Sequence, residues 1–177
     1  MRFHFTQQQD AFRREVHDFV AQEIEAGTFA PNVGELVGMS SRAFSRKLAD
    51  RGWIGMTWPR QYGGQERGAV DKMIMNEELM RVQAPIGYHF MGDRQVGPAI
   101  IIFGSPWQKE FFLPRIVKAE EKSNFCLLFS EPGAGSDLVS VAIRAERVAA
   151  PVHFLSPAFL LRCAASYARR SDRWSLV

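Results

Sequence analysis

The sequence predicts an α+β fold in which a helical domain comes first and the first strands of a sheet follow. Two observations carry this prediction. Up to about residue 120, apolar residues recur at helical spacing between suitable helix caps and stops. From Ser123 onward, the apolar run SNFCLLFS has no helical gap, and the later stretch VSVAIRAERV alternates as strands do. Helices followed by strands in separate blocks indicate an α+β arrangement or two domains.

Two helices are predicted within the first 52 residues. Thr6 is a candidate N-cap, and apolar residues then return every three or four positions until Gly27. These residues are Phe12, Val16, Phe19, Val20 and Ile24. Ser40 or Ser41 caps the second helix, and Gly52 is its predicted stop.

An aromatic loop separates the second helix from the third. Residues 53–64, WIGMTWPRQYGG, contain Trp53 and Trp58, which are interpreted as core anchors, with direct ligand contact as the alternative. The third helix is predicted over residues 69–83, and Pro85 ends it.

Two more helical segments precede the predicted strands. Residues 95–103, QVGPAIIIF, are predicted to form a short buried helix. Ser105 and Pro106 are predicted as the N-cap and first residue of a helix that runs to Lys118. Pro114 is expected to kink or shorten that helix.

Composition and charge indicate an ordinary globular protein. The 177 residues are 46% hydrophobic and 23% charged, which fits one domain or slightly more. The first 146 residues hold 17 basic and 18 acidic residues, and residues 147–177 hold five arginines and one aspartate. The basic excess thus lies in the tail, and no nucleic-acid partner is predicted.

Cysteine usage and the apolar stretches indicate a reduced, cytoplasmic compartment. Cys126 and Cys163 show neither metal-ligand spacing nor a secretory context. The N-terminus is charged and amphipathic, without the apolar core of a signal peptide. No apolar stretch is long enough to span a bilayer, so no membrane span is predicted.

A glycine-rich turn, SEPGAGSD, follows the first predicted strand. Glycines let the backbone approach a ligand, and successive N–H groups in such a turn favour phosphate. The turn lacks the Gly-Lys-Ser/Thr of a Walker loop, and its spacing differs from the Rossmann fingerprint. From the residues alone, an anion cradle and a tight hairpin turn remain equally good interpretations.

Three separated segments resemble the acyl-CoA dehydrogenase family and occur in the family's order. FSEPGAGSDL resembles the family signature, LADRGWIGMTWPRQYGG its second-helix exit and loop, and GPAIIIFGSPWQKEFFLPRIVKAE its helix pair before the β domain. The family has an N-terminal helical domain, a middle β-barrel domain and a C-terminal four-helix domain. The resemblance implies a helical domain at 1–120, the start of an incomplete β-barrel domain at 121–146, and a non-family tail at 147–177.

The resemblance implies an FAD site between Leu127 and Ser136. Backbone groups of Leu127 and Phe129, with the hydroxyl of Ser130, are expected to meet the flavin ring. Gly135 and Ser136 are expected to meet the pyrophosphate, and Ser136 also sits where the family contacts the acyl-CoA. A small apolar residue is commoner in the family at the place of Phe129.

The resemblance also implies a reaction, the α,β-dehydrogenation of an acyl-CoA thioester in fatty acid metabolism. A carboxylate base must remove the α proton, and in the family it comes from the C-terminal domain. No residue here is therefore predicted to be catalytic or to bind metal, and Glu131 is interpreted as structural. The implied partners are an acyl-CoA substrate, an electron-transfer flavoprotein, and a second copy or another acyl-CoA dehydrogenase subunit. Acyl chain length stays open.

Residues 147–177 depart from the family pattern. The family continues with a turn, a strand and a Trp-Thr segment that packs on the flavin, but this tail has no glycine, asparagine, glutamate or lysine. A reading-frame shift near codon 147 and a genuine amphipathic helix are the two explanations. The function hypotheses are accordingly a dehydrogenase part that is inactive alone, a non-catalytic remnant, and an interaction subunit.

Overall fold

The computed structural model describes residues 4–31, 40–125, 133–140, 144–146 and 153–155. The chain divides into two compact units, a helical unit (Met1–Cys126) and a C-terminal unit (Leu127–Val177). The helices are α1 (Gln7–Glu25), α2 (Arg42–Asp50), α3 (Ala69–Arg81), α4 (Gly87–Met91), α5 (Gly97–Phe103) and α6 (Pro106–Val117). A π-helical segment, Gly92–Val96, joins α4 to α5. None of the described helices is long and apolar enough to cross a membrane.

The predicted helix caps are confirmed. The Gln9 N–H donates to Thr6 Oγ1 at 3.2 Å and the Gln9 side chain accepts from the Thr6 N–H at 2.9 Å, which together form a capping box. Ser41 caps α2 through the N–H of Phe44. Ser105 starts α6 with the same reciprocal box. Such caps satisfy N–H groups that a helix leaves without an internal partner.

The core of the helical unit is apolar and draws on α1, α2, α3, α6 and the aromatic loop. Its members include Phe12, Val16, Phe19, Val20, Phe44, Leu48, Ile54, Met56, Ile74, Met75, Leu79, Leu113 and Ile116. Trp53 and Trp58 are 2% and 3% exposed, so their interpretation as core anchors is confirmed. The Trp53 ring meets Phe12 and Phe19 edge-on at 5.8 and 5.2 Å.

The buried carboxylate of Glu78 links α1 to α3 through ion pairs. The Glu78 carboxylate accepts from Arg13 of α1 at 3.0 Å and lies 3.3 Å from Arg81 of α3. Burial raises the pKa of Glu78, but hydrogen bonds from Arg13 and His17 and the charge of Arg81 outweigh it, so the pKa lies below its usual 4.5. Glu78 therefore stays charged near neutral pH.

Two predictions for the last helices need correction. Residues 95–103 are helical, with π-helical geometry up to Val96 and an α-helix from Gly97, but the helix is not buried, because Ile102 and Phe103 are 67% and 84% exposed. Pro114 does not shorten α6, which continues to Val117. A proline removes only one N–H, and the buried Leu113, Ile116 and Val117 hold the last turn against the core.

The described part of the C-terminal unit holds a short turn and two strands. A 3₁₀ turn spans Leu138–Ser140, and β1 (Arg144–Glu146) pairs antiparallel with β2 (His153–Leu155). The alternating stretch 139–148 was predicted to be a strand throughout, but Val139 and Ser140 belong to the 3₁₀ turn. A three-residue pair does not make a barrel, so the predicted incomplete barrel is not confirmed.

The first predicted strand, residues 123–130, is described only at its start. Ser123, Asn124 and Phe125 are not in a strand, and the remaining positions lie outside the described residues. Ser123 is buried, and its hydroxyl donates to the carbonyl of Glu120 at 2.7 Å. These three residues therefore extend the irregular turn that follows α6.

Candidate functional site

The glycine turn is exposed at the positions that were predicted to contact phosphate. Gly133, Gly135, Ser136 and Asp137 are all exposed, whereas Ala134 is 4% exposed. A Cβ placed on Gly133 or Gly135 would meet no atom of the described residues within 4 Å, so none of these residues blocks the backbone there from an incoming group. The glycines thus provide access, which is one reason for glycine beside a bound phosphate.

Hydrogen bonds between described residues of the turn engage Ser140. The Ser140 hydroxyl bonds to the Asp137 carboxylate, and the Ser140 N–H donates to the Asp137 carbonyl at 3.3 Å. These contacts close the 3₁₀ turn. Ser136 is exposed, and its hydroxyl has no hydrogen-bond partner among the described residues.

The sequence-predicted site is only partly visible. Gly135 and Ser136 lie together on the exposed turn. Leu127, Phe129 and Ser130 lie outside the described residues, as does Glu131. The described half of the site is the half that was expected to meet the pyrophosphate, and the half expected to meet the flavin ring remains a prediction.

A separate groove of about 590 Å³ lies in the helical unit, between α3 and the start of α5. It is lined by Thr57, Trp58, Ala69, Lys72, Met73, Asn76, Glu77, Met80, Asp93, Arg94 and Pro98. Its acids are already paired, since Glu77 accepts from Arg13 at 2.6 Å and Asp93 from Lys72. The groove therefore offers neither a free carboxylate base nor a free lysine.

Asp93 is the polar centre of this wall. It is 5% exposed, its Oδ1 accepts from the Gly55 N–H at 2.8 Å, and its Oδ2 accepts from the Lys72 ammonium. Asp93 thereby joins the π-helical segment, the aromatic loop and α3. A buried carboxylate needs such partners, because an unpaired buried charge is strongly destabilising.

His89 lies one turn before Asp93 and is 4% exposed. Its Nδ1 lies 2.8 Å from the hydroxyl of buried Ser45. Burial lowers the pKa of His89, the charge of Asp93 opposes this and the charge of Lys72 adds to it, so that the pKa is about 4. The imidazole is therefore neutral near pH 7 and acts there as a hydrogen-bonding part of the core.

Sequence reasoning missed this polar cluster because it missed α4 and the π-helical segment. The stretch from Gly87 to Val96 contains two glycines, Gly87 and Gly92, and Gly97 follows it directly; glycine lowers helix propensity. The available signal was the spacing of His89 and Asp93, which are four apart and share a helix face.

Comparison with known proteins agrees with the resemblance. The family described as "Acyl-CoA dehydrogenase, N-terminal domain" matches residues 6–120. The acyl-CoA dehydrogenase FadE26 of Mycobacterium tuberculosis is 35% identical over 151 residues, which is 83% of this chain and 37% of the relative. The chain thus spans little more than a third of the length of this relative.

Two solved structures are similar in fold and sequence. The ChsE4–ChsE5 complex from Mycobacterium tuberculosis matches with a TM-score of 0.66 and 32% identity, covering 87% of this chain and 38% of that one. The Tcur3481–Tcur3483 steroid acyl-CoA dehydrogenase matches with a TM-score of 0.73 and 28% identity, covering 87% and 39%.

The match to the family spans all six helices of the helical unit, from the capping box at Thr6 to the end of α6. It covers more than half of the chain and agrees with the caps, the tryptophan loop and the helix pair described above. The chain therefore belongs to the acyl-CoA dehydrogenase family, a family of flavin-dependent oxidoreductases.

Proposed function

We propose that this chain is the N-terminal part of an acyl-CoA dehydrogenase and contributes one wall of an FAD site. The observation that carries the proposal is the family match over residues 6–120, followed within 20 residues by an exposed glycine turn whose Ser136 hydroxyl has no partner among the described residues. Localisation in the cytoplasm, a role in fatty acid metabolism and reoxidation by an electron-transfer flavoprotein are part of the same proposal.

The described residues fit the phosphate end of FAD. Gly135 leaves its backbone accessible, and Ser136 carries a hydroxyl that no described residue engages. In the proposal these two bind the pyrophosphate, while Leu127, Phe129 and Ser130 contact the flavin ring. The hydroxyl of Ser136 also orients the acyl-CoA.

When bound, FAD supplies the acceptor for the hydride that leaves the β carbon of the thioester. The contribution of this chain is to hold and orient the cofactor, because orientation alone lowers a reaction barrier substantially. The hydrogen bond between Ser140 and Asp137 stabilises the glycine turn and keeps Ser136 at the surface of the turn.

A flavin titration tests the phosphate role. Ser136→Ala removes a hydrogen bond to a charged group, worth roughly 1.5–3 kcal/mol, so FAD binding should weaken about tenfold or more. Ser140→Ala is the matched control, because it removes a serine of the same turn that is already bonded to Asp137. If Ser136→Ala binds FAD as tightly as the unmodified chain, Ser136 does not hold the phosphate.

The 177-residue chain alone is proposed not to oxidise acyl-CoA at a useful rate. The general base of the family lies in its C-terminal domain, and loss of a base costs typically 10²–10⁴-fold. The measurement is flavin bleaching by acyl-CoAs of several lengths under anaerobic conditions. Bleaching by the purified chain, free of other dehydrogenase subunits, would contradict this part of the proposal.

A second candidate function is that of an interaction subunit that pairs with a larger acyl-CoA dehydrogenase chain. The two-chain names of the ChsE4–ChsE5 and Tcur3481–Tcur3483 structures favour it. Co-purification of a larger dehydrogenase with the tagged chain, together with flavin in the complex but not in the chain alone, supports this function. A chain that binds FAD alone and captures no dehydrogenase supports the first.

A further inference from the structure

The groove between α3 and the start of α5 contains a cation that no described acid balances. Both acids of the groove already have a cation, since Asp93 pairs with Lys72 and Glu77 pairs with Arg13 at 2.6 Å. Arg94 lines the same groove, is exposed, and forms no ion pair with any described residue. Within the described part of the chain, the groove therefore presents an uncompensated positive charge to an incoming group.

An aromatic ring, rather than an acid, holds Arg94 in place. The central carbon of its guanidinium lies 4.8 Å from the centroid of the Phe90 ring. This contact leaves the N–H donors of the guanidinium without a carboxylate among the described residues. A guanidinium binds a carboxylate through two parallel hydrogen bonds, which are stronger than hydrogen bonds between neutral groups. Arg94 is therefore positioned to bind a carboxylate from outside the chain.

Two neutral polar side chains, Asn76 and Thr57, also line the groove. Asn76 is half-buried and Thr57 is exposed, and neither side chain has a hydrogen-bond partner among the described residues. The amide supplies two N–H donors and the hydroxyl supplies one. These donors add to the guanidinium of Arg94, so the groove offers several hydrogen bonds to the oxygens of an anion.

The remaining wall of the groove is apolar. Met73 and Met80 lie seven residues apart and therefore on one face of α3, and Pro98 lies on the opposite wall. A methionine side chain adapts its shape to a ligand, and its sulfur contacts aromatic rings favourably. The volume of about 590 Å³ lies within the roughly 300–1,000 Å³ of small-molecule sites. The groove therefore suits a ligand with an anionic end and an aromatic body.

We propose that this groove binds a small aromatic carboxylate, with the carboxylate on Arg94 and Asn76 and the ring against Met73 and Met80. The single negative charge of such a ligand matches the single uncompensated cation among the described residues of the groove. A phosphate group carries about two negative charges near neutral pH and fits less well. The groove belongs to the helical unit and the glycine turn does not, so this inference goes beyond the proposed function and does not depend on FAD binding.

An NMR titration of the 177-residue chain with phenylbutyrate tests the proposal. The side-chain amide signal of Asn76 should shift and saturate, whereas that of Asn124, which does not line the groove, should stay in place. Phenylbutanol has the same body without the charge and should bind about tenfold more weakly. Inorganic phosphate should not displace phenylbutyrate. Equal binding of the alcohol, or displacement by phosphate, overturns the proposal.

Two substitutions of Arg94 test its role. Arg94→Gln should weaken phenylbutyrate binding about tenfold or more, because it removes the charged partner of the carboxylate. Arg115→Gln is the matched control, since Arg115 is also exposed and stacks on a phenylalanine, Phe111, but lies outside the groove. Arg94→Glu should reverse the preference, so that phenylbutylamine binds better than phenylbutyrate.

Circular dichroism checks that each variant is folded, which is expected because both arginines are at the surface. Three outcomes overturn the proposal: phenylbutyrate does not bind, Arg94→Gln binds it as tightly as Arg115→Gln does, or Arg94→Glu still prefers the carboxylate.

Discussion

The helical unit and the glycine turn of the C-terminal unit differ in how their residues are held. In the helical unit, Phe44 and Leu48 are fully buried, and Asp93 has a partner for each carboxylate oxygen. In the turn, Ser136 is exposed without a described partner, and Val139 is 97% exposed. The comparison teaches that the two regions differ in packing. The described core lies in the helical unit, whereas the described part of the turn leaves Ser136 exposed.

The largest expected effect is the loss of a core aromatic side chain. Phe44 stacks on Phe19 at 5.9 Å and meets Phe29 edge-on at 5.1 Å, so Phe44→Ala should lower the free energy of unfolding by about 3–5 kcal/mol. Chemical denaturation followed by circular dichroism measures the change. Val139→Ala, in the C-terminal unit, should change it by less than about 0.5 kcal/mol. Equal effects of the two substitutions would refute the contrast between the units.

The next effect concerns the buried ion pair. Lys72→Met leaves the Asp93 carboxylate without its cation, which should cost about 3 kcal/mol of unfolding free energy. Adding Asp93→Asn removes the stranded charge and keeps an acceptor for the Gly55 N–H, so the double variant should be more stable than Lys72→Met. Chemical denaturation of Lys72→Met, Asp93→Asn and the double variant gives the coupling, and a double variant less stable than Lys72→Met would contradict the pairing.

A third prediction is a pH dependence carried by His89. Its pKa is about 4 when folded and near 6.5 when unfolded, so the unfolded chain binds the proton first as the pH falls. The contribution of neutral His89 to the free energy of unfolding is fully present above pH 6.5. Through its loss, the free energy of unfolding should fall by about 2–3 kcal/mol between pH 6.5 and 4. The charged groups that act on this histidine are Asp93 and Lys72.

Thermal unfolding across this pH range measures the effect, with His89→Asn as the comparison. The variant should be less stable at pH 7 but should show a flatter profile down to pH 4.5. Below pH 4.5, protonation of Glu78 and Glu23, whose pKa values are lowered, should destabilise both proteins. Parallel profiles of the two proteins between pH 6.5 and 4.5 would show that another group causes the dependence.

The smallest effect compares two serines. Ser41→Ala removes the side-chain cap of α2 and should cost about 1 kcal/mol of unfolding free energy. Ser136→Ala removes a hydroxyl without a described partner and should leave the melting temperature unchanged. Thermal unfolding of the two variants measures this difference in melting temperature. A destabilised Ser136→Ala variant would mean that the turn contributes to folding.

Helix starts were the most predictable part of the fold. Thr6, Ser41 and Ser105 cap helices through bonds to residues three positions away, so a short window of sequence contains the whole interaction. The burial of Trp53 and Trp58 was predictable for a similar reason, since large aromatic side chains in a loop need cover. Local chemistry determines these features.

Features that depend on distant partners were not predictable. The helix through Gly87–Val96 is supported by Asp93, whose partners Gly55 and Lys72 are far away in sequence. The exposure of Ile102 and Phe103 depends on which face α6 covers, and apolarity alone indicated burial. Of the flavin site, Gly135 and Ser136 could be placed on an accessible turn, but their roles rest on family resemblance.

The contact between the aromatic loop and the first residue of α5 has an evolutionary consequence. A Cβ on Gly97 would lie 2.1 Å from the Trp58 indole, so no side chain fits at 97 while tryptophan occupies 58. The same Cβ would lie 2.8 Å from the backbone oxygen of Gly92, so a residue larger than glycine at 97 needs both a smaller residue at 58 and a shift of the backbone at 92. Related chains should therefore show an inverse relation between the side-chain volumes at positions 58 and 97, even where their overall sequence identity is low.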